Sequence, residues 1–282
     1  MMKIDVDSYL KRLKISPIGK PSLAALRALH AAHVEQVPHE NLEIQLGRPI
    51  SVDPQESVAR ILQGRGGCCI HLNSAFATLL REFGYTVTWH RGGVQGDSKT
   101  PPPGADASHL VLTVECEGQT WYVDVGLGDA LHEPLPLQAG KYRQGPFTYQ
   151  LRPSAVEKNG WRFDHDAQGA FVGMDFNLDP ASPEDFVAKD LELKTSPNSR
   201  FVRIAVVTRR DRTGVDELTG CILNRTDSKG RKEKEIAGRE EWFRVLDDTF
   251  GLGLTEVSEA ELADLWDKVY SRHQEWRRRQ GG

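Results

Sequence analysis

Arg65-Gly66-Gly67-Cys68-Cys69-Ile70-His71-Leu72-Asn73 sets two glycines and a cysteine pair ahead of an apolar periodic run. Leu72, Phe76, Leu79, Leu80 and Phe83 recur at helical spacing and form one face, which predicts a helix from Cys69 to Phe83. Gly84 is a natural stop. Glycines allow a tight turn and close backbone approach. The unpaired N–H groups of a first helical turn favour a thiolate and can hold an oxyanion. A thiolate attacks carbonyl carbon. Cys69 is therefore a candidate nucleophile, and Cys68 is its rival on chemistry alone. Burial of Cys69 as a small core residue is the competing reading. Metal binding by Cys68, Cys69 and His71 is disfavoured, because no second Cys/His pair stands at zinc spacing. Cys116 and Cys221 lack a glycine-rich, helix-opening context.

Upstream of this stretch the chain reads as helical. Ser22 can cap a helix carrying Leu23, Leu26, Leu29 and Val34. Asp53-Pro54-Gln55-Glu56 combines an N-cap, a first-turn proline and a capping-box acid. Downstream the period becomes two. Tyr85, Val87 and Trp89, then Leu110, Leu112 and Val114, then Trp121, Val123 and Val125 alternate with their neighbours. Glu117-Gly118-Gln119 suggests a hairpin. Residues 92–108 read as a long loop rich in Gly, Pro and Asp. The middle region, to about residue 200, is expected to be a small barrel or sandwich. Beyond it lie a strand over Phe201 to Val207 and a C-terminal helix opened by a Ser258/Glu261 capping box.

A thiol nucleophile needs a base, and the base needs a group that fixes its tautomer. His30 and His33 lie on an early helix, where packing or surface roles suffice. His132, His165 and His273 fall in loop-like or terminal surroundings. His109 instead follows the long loop and opens an apolar strand. Asp124 stands inside Tyr122-Val123-Asp124-Val125-Gly126, where a carboxylate is costly without a partner. A strand-end acid facing water is the alternative. With the hairpin centred on Gly118, Asp124 would oppose Leu112. His109 would then lie about 10 Å further along and on the opposite face. A bulge or a shifted register is needed to join them.

The 282 residues carry a formal net charge of −4, so nothing draws the chain as a whole to nucleic acid or an anionic membrane. The basic runs at Lys229–Lys234 and Arg277–Arg279 read as a solvated loop and a helix end. The first residues hold no apolar signal core, and no stretch is long and apolar enough to span a bilayer. A cytoplasmic location is expected.

Several ordered motifs resemble the arylamine N-acetyltransferase family. Pro38-His39-Glu40-Asn41-Leu42 is similar to its PFENL motif. Arg65-Gly66-Gly67-Cys68-Cys69 with Asn73 is similar to its nucleophile motif. His109-Leu110-Val111-Leu112 and Asp124-Val125-Gly126-Leu127-Gly128 resemble its His and DVGFG segments, and Thr195–Phe201 resembles a later one. The resemblance covers most of the chain. It implies an α+β fold: a helical domain (1–85) carrying the nucleophile, a β-barrel domain (86–200) carrying His and Asp, and an α/β lid (201–282). It implies a Cys69-His109-Asp124 triad of the kind shared with papain-like enzymes, at the junction of the first two domains. It implies ping-pong transfer from acetyl-CoA, without a metal, to a small-molecule arylamine or hydrazine. The departures concern the acceptor. His39 and Leu127 stand where phenylalanines are usual, which marks both as substrate-binding candidates in a less aromatic pocket. Relatives acting as amide synthases, which take an acyl chain from a carrier protein, are the nearest alternative. A thiol hydrolase and a non-enzymatic binding module are more distant ones.

Overall fold

The structure is a computed structural model describing residues 4–48 and 50–280. Its first part is helical: α1 (Val6–Arg12), α2 (Leu23–Gln36), a short strand β1 (His39–Glu40), α3 (Leu42–Leu46), α4 (Pro54–Leu62) and α5 (Cys69–Glu82). The caps expected at Ser22 and Asp53 form, accepting from Ala25 N–H and Gln55 N–H. Glu56 does not close a box on Asp53; it takes the N–H of Ser51 instead.

Eight antiparallel strands follow: β2 (Thr86–Gln95), β3 (His109–Cys116), β4 (Gln119–Val123), β5 (Leu135–Pro136), β6 (Gly140–Gln144), β7 (Phe147–Pro153), β8 (Trp161–Asp164) and β9 (Gly173–Phe176). Their order, β5-β4-β3-β2-β9-β8-β7-β6, makes one barrel-like sheet. The expected loop is shorter than 92–108, because β2 runs on to Gln95 and pairs with β9. After the barrel the chain is helical again, with a 3₁₀ turn (Pro183–Phe186), α6 (Val187–Thr195) and α7 (Arg200–Arg203). The strand expected from Phe201 begins only at Val206, because Ser199 caps a helical turn over Phe201.

The last part holds β10 (Val206–Asp211), β11 (Gly214–Thr219), β12 (Ile222–Asp227), β13 (Gly230–Glu235), α8 (Arg239–Phe250) and α9 (Glu259–Gln280). The Ser258/Glu261 capping box forms as expected. The sheet order is β1-β10-β11-β12-β13, so the N-terminal part lends a strand to the C-terminal sheet. Three apolar clusters fill the molecule: helices against β2–β4, the barrel interior, and α8 and α9 against the second sheet. Buried Arg210 ties that sheet to the barrel. It donates to the carbonyls of Ala130 (3.0 Å), Gln144 (2.9 Å) and Gly214 (3.0 Å) and lies 4.7 Å over the Phe147 ring. The fold is α+β, as expected. Among the described residues no helix is long and apolar enough to cross a membrane.

Candidate active site

The hairpin between β3 and β4 decides how the site assembles. Its turn is Glu117-Gly118, both at positive φ, so Cys116 pairs with Gln119 and Leu112 with Val123. Asp124 is thus aligned with Val111, one residue away from the register expected with Gly118 at the centre. One residue is one face. Val111 and His109 share a face, and Asp124 now joins them without a bulge.

His109 Nε2 lies 2.7 Å from Asp124 Oδ2, and both side chains are buried. The carboxylate is fully engaged. Oδ2 also accepts from Tyr122 Oη at 3.0 Å, and Oδ1 accepts from Asn73 Nδ2 and Gly126 N–H, each at 2.9 Å. Burial by itself would raise Asp124, but the His109 imidazolium and these donors hold it below the usual carboxylate range. Burial likewise opposes the charged form of His109. The Asp124 carboxylate and the neighbouring Cys69 outweigh it and push His109 up to about 10. With Nε2 given to Asp124, Nδ1 is the ring nitrogen left for the thiol.

Cys69 opens α5 and is buried, its thiol donating to the Ser108 carbonyl at 3.6 Å. Ser108 immediately precedes His109, so the loop end that carries this histidine also touches the Cys69 thiol. Gly126 allows α5 to come this close. A Cβ there would fall 2.8 Å from the Cys69 Cα and carbonyl oxygen and 2.9 Å from Asn73 Nδ2. Cys68, by contrast, is turned to the Glu40 carbonyl at 3.5 Å, and burial and the adjacent Cys69 raise its thiol well above the ordinary value. The loop before it is braced by Arg65, buried between Glu43 and Glu256.

His39 is half-buried beside this centre. It pairs with Thr208 of β10, bridges to Gly67, and has its ring 6.2 Å from that of Phe201. Burial first, then the charge on His109, keeps its imidazole neutral, down to about 4. Leu127 is half-exposed and packs partly against the barrel cluster. A cavity of about 880 Å³ opens between the barrel, β11–β13 and α9. Asp129, Arg200, Arg203, Arg231, Arg272 and Arg279 help to line it; Cys69, His109 and Asp124 do not.

The sequence pointed to no site role for Tyr122, placed Gly126 in a motif without saying why a glycine stands there, and left His30 to packing or the surface. Tyr122 shares the face of Asp124 two residues on, a signal that was present in the alternation. His30 is fully buried, with one ring nitrogen 3.1 Å from the Asp124 carbonyl and the other 3.0 Å from the His132 carbonyl; kept neutral by burial, it donates to one of the two. Nothing in a helical apolar pattern announces that contact.

A family model described as N-acetyltransferase matches residues 22–259. The arylamine N-acetyltransferase / N-hydroxyarylamine O-acetyltransferase of Salmonella typhimurium is 31% identical over 269 residues, covering 91% of this chain and 93% of that protein. The arylamine N-acetyltransferase of Escherichia coli is 27% identical over 267 residues, covering 92% of each. The solved Salmonella typhimurium structure superposes with a TM-score of 0.83 at 29% identity, over 95% of this chain and 99% of that one. The Mycobacterium marinum enzyme, solved in complex with CoA, shares the fold with a TM-score of 0.84 at 24% identity, over 94% and 98%. With the family model spanning most of the chain and the relatives matching nearly end to end, this chain belongs to the arylamine N-acetyltransferase family and is an acyltransferase.

Proposed function

We propose that the protein transfers an acetyl group from acetyl-CoA to arylamine or hydrazine acceptors through a thioester on Cys69. The observation that carries this reading is the 2.7 Å contact between His109 and Asp124, with the thiol of Cys69 on the carbonyl of Ser108, the residue before His109. Asp124 fixes the ring of His109 and stabilises the imidazolium that forms when Nδ1 takes the thiol proton. The thiolate attacks the thioester carbonyl of the donor, and first-turn N–H groups of α5 stabilise the oxyanion. The carbon–sulfur bond to coenzyme A breaks, and His109 returns its proton to the departing thiolate. The acceptor amine then attacks the Cys69 thioester, His109 takes the amine proton, and the thiol is regenerated. The arginines around the 880 Å³ cavity suit the phosphates of coenzyme A by charge and fork geometry.

Intact-protein mass spectrometry tests this reading. After mixing with acetyl-CoA, the expected result is one added acetyl group, mapped to Cys69 and discharged by an amine but stable in water. An acyl-enzyme that decays at once in water would indicate a hydrolase, and none at all a binding module. Acylation only by carrier-bound chains would indicate an amide synthase. Label on Cys68 would overturn the site.

A further inference from the structure

Asp124 stands one residue past the end of β4, so its buried carbonyl lies outside the ladder that joins β3 to β4. From there to Leu135, where β5 begins, the chain runs as a loop. Helix α2 takes hold of this loop at both ends. Fully buried His30 has Nε2 3.1 Å from the Asp124 carbonyl and Nδ1 3.0 Å from the His132 carbonyl. The far end is also secured in other ways. Glu35 meets the His132 ring at 2.6 Å, and Gln144 accepts from the N–H groups of His132 and Glu133 at 2.7 and 3.1 Å. A neutral imidazole carries one N–H, so one of the two carbonyls receives it. The ionised Asp124 carboxylate favours the positive end of that dipole on its own side, whereas the His132 ring opposes it on the other.

We propose that His30 is a positioning residue for the reaction: its Nε2–H holds the Asp124 carbonyl and so keeps the carboxylate against His109. This rests on the reading of Cys69 as the acetylated nucleophile. Asn73 grips the carboxylate from α5 and His30 grips the backbone from α2, so Asp124 is set between two helices. Without the N–H, a buried carbonyl is left unpaired and the peptide after Asp124 is free to turn toward another donor. That turn carries Val125 N–H off Asn73 and Gly126 N–H off Oδ1. Oδ2 then meets His109 out of line, and a hydrogen bond weakens steeply with misalignment. The titratable groups facing His109 are Asp124, Cys69 and His39; those facing His30 are Asp124, His132 and His33. Burial keeps His30 and His39 neutral, each down to about 4, and pulls His33 well below 6.5, so an alkaline inflection reports on His109. His33 supplies a control. It is as buried as His30 and packs on the same Phe76 ring, but its hydrogen bond runs to Tyr9 of α1 at 3.0 Å.

The test follows two reactions of the whole protein against pH: alkylation of Cys69 by iodoacetamide, and its acylation by acetyl-CoA. His30→Phe is expected to lower the alkaline inflection of both by about one pH unit, the shift that one net hydrogen bond supports. It should also slow acylation about tenfold at saturating acetyl-CoA, with KM unchanged. His30→Gln, which keeps an N–H donor, should recover part of both. His33→Phe should lower the melting temperature by as much and leave the inflection in place. In the wild-type protein, nitrogen-15 NMR should find the His30 ring proton on Nε2. An inflection that stays in place in His30→Phe, or moves equally in His33→Phe, overturns the proposal, and so does a ring proton on Nδ1. Should His30→Phe not fold, the Gln variant and the wild-type NMR signal decide. If the wild-type protein forms no acyl-enzyme on Cys69, the reading of the reaction fails, while the alkylation profile still judges the role of His30.

Discussion

Asn73 and Asp124 meet at 2.9 Å, so the helix that begins with Cys69 also grips the carboxylate that faces His109, one turn later. The same amide donates to the Leu110 carbonyl at 2.6 Å and accepts from Val125 N–H at 2.9 Å. Asn73→Ala would leave buried groups unpaired, each costing about 1–3 kcal/mol. A stability loss of about 3 kcal/mol in urea denaturation is expected, together with at least tenfold slower Cys69 acylation measured by stopped-flow. Unchanged acylation would show that the clamp serves folding alone.

The raised His109 has a signed consequence. Its imidazolium is favoured in the fold, so the stabilisation it contributes is complete below the ordinary value of 6.5 and is lost as pH rises toward about 10. Acylation should persist far into the alkaline range before falling. Asp124→Asn removes a main source of the shift, and the alkaline limb should move down by pH units in a pH–rate profile. The stability gap between wild type and this variant should narrow between pH 6.5 and 10. A limb that stays in place would assign the shift elsewhere.

Buried histidines act in the opposite sense at low pH. Burial pulls His30 down to about 4, His71 to about 3 and His33 well below 6.5. The unfolded chain binds those protons and the folded chain does not, so stability falls with pH from 6.5 to about 4. Each such group contributes about 1.4 kcal/mol per pH unit over its window. Calorimetry should show a melting temperature dropping steeply below pH 6.5, and His71→Leu should flatten the drop. A melting temperature constant down to pH 4.5 would refute this account.

Gly126→Ala tests the approach of α5 to the barrel. The new methyl would meet Cys69 backbone atoms at 2.8 Å, which have no freedom to swing aside. Overpacking of this kind costs about 1–3 kcal/mol. Acylation should fall by orders of magnitude while the melting temperature falls only a few degrees, because the displaced pair is Cys69 and the Asp124 loop.

Cys68→Ala should acylate at near the wild-type rate, since that thiol is bonded to Glu40 and held protonated. Cys69→Ala should not acylate at all. Loss in both variants would mean that Cys68 packing, too, shapes the glycine loop.

The helices and their caps were legible because spacing and cap chemistry are local. The face of Asp124 was not, since it turned on whether a hairpin centres on one residue or between two. Glu117 at positive φ gives no compositional warning. The interaction of His30 with the Asp124 carbonyl, 94 positions away, and the cavity walls drawn from barrel, sheet and last helix depend on packing that no periodicity encodes. Local context singled out His109 and Asp124, but register counting set them on opposite faces, and only the family resemblance joined them.

The two-residue strand β1 also bears on inheritance. His39 comes from the first part of the chain, yet its backbone partner Thr208 and ring neighbour Phe201 come from the last. A chimera that exchanged the C-terminal third with that of a relative would set a foreign strand and a foreign ring against His39, so the surroundings of this one side chain are written in two stretches more than 160 positions apart.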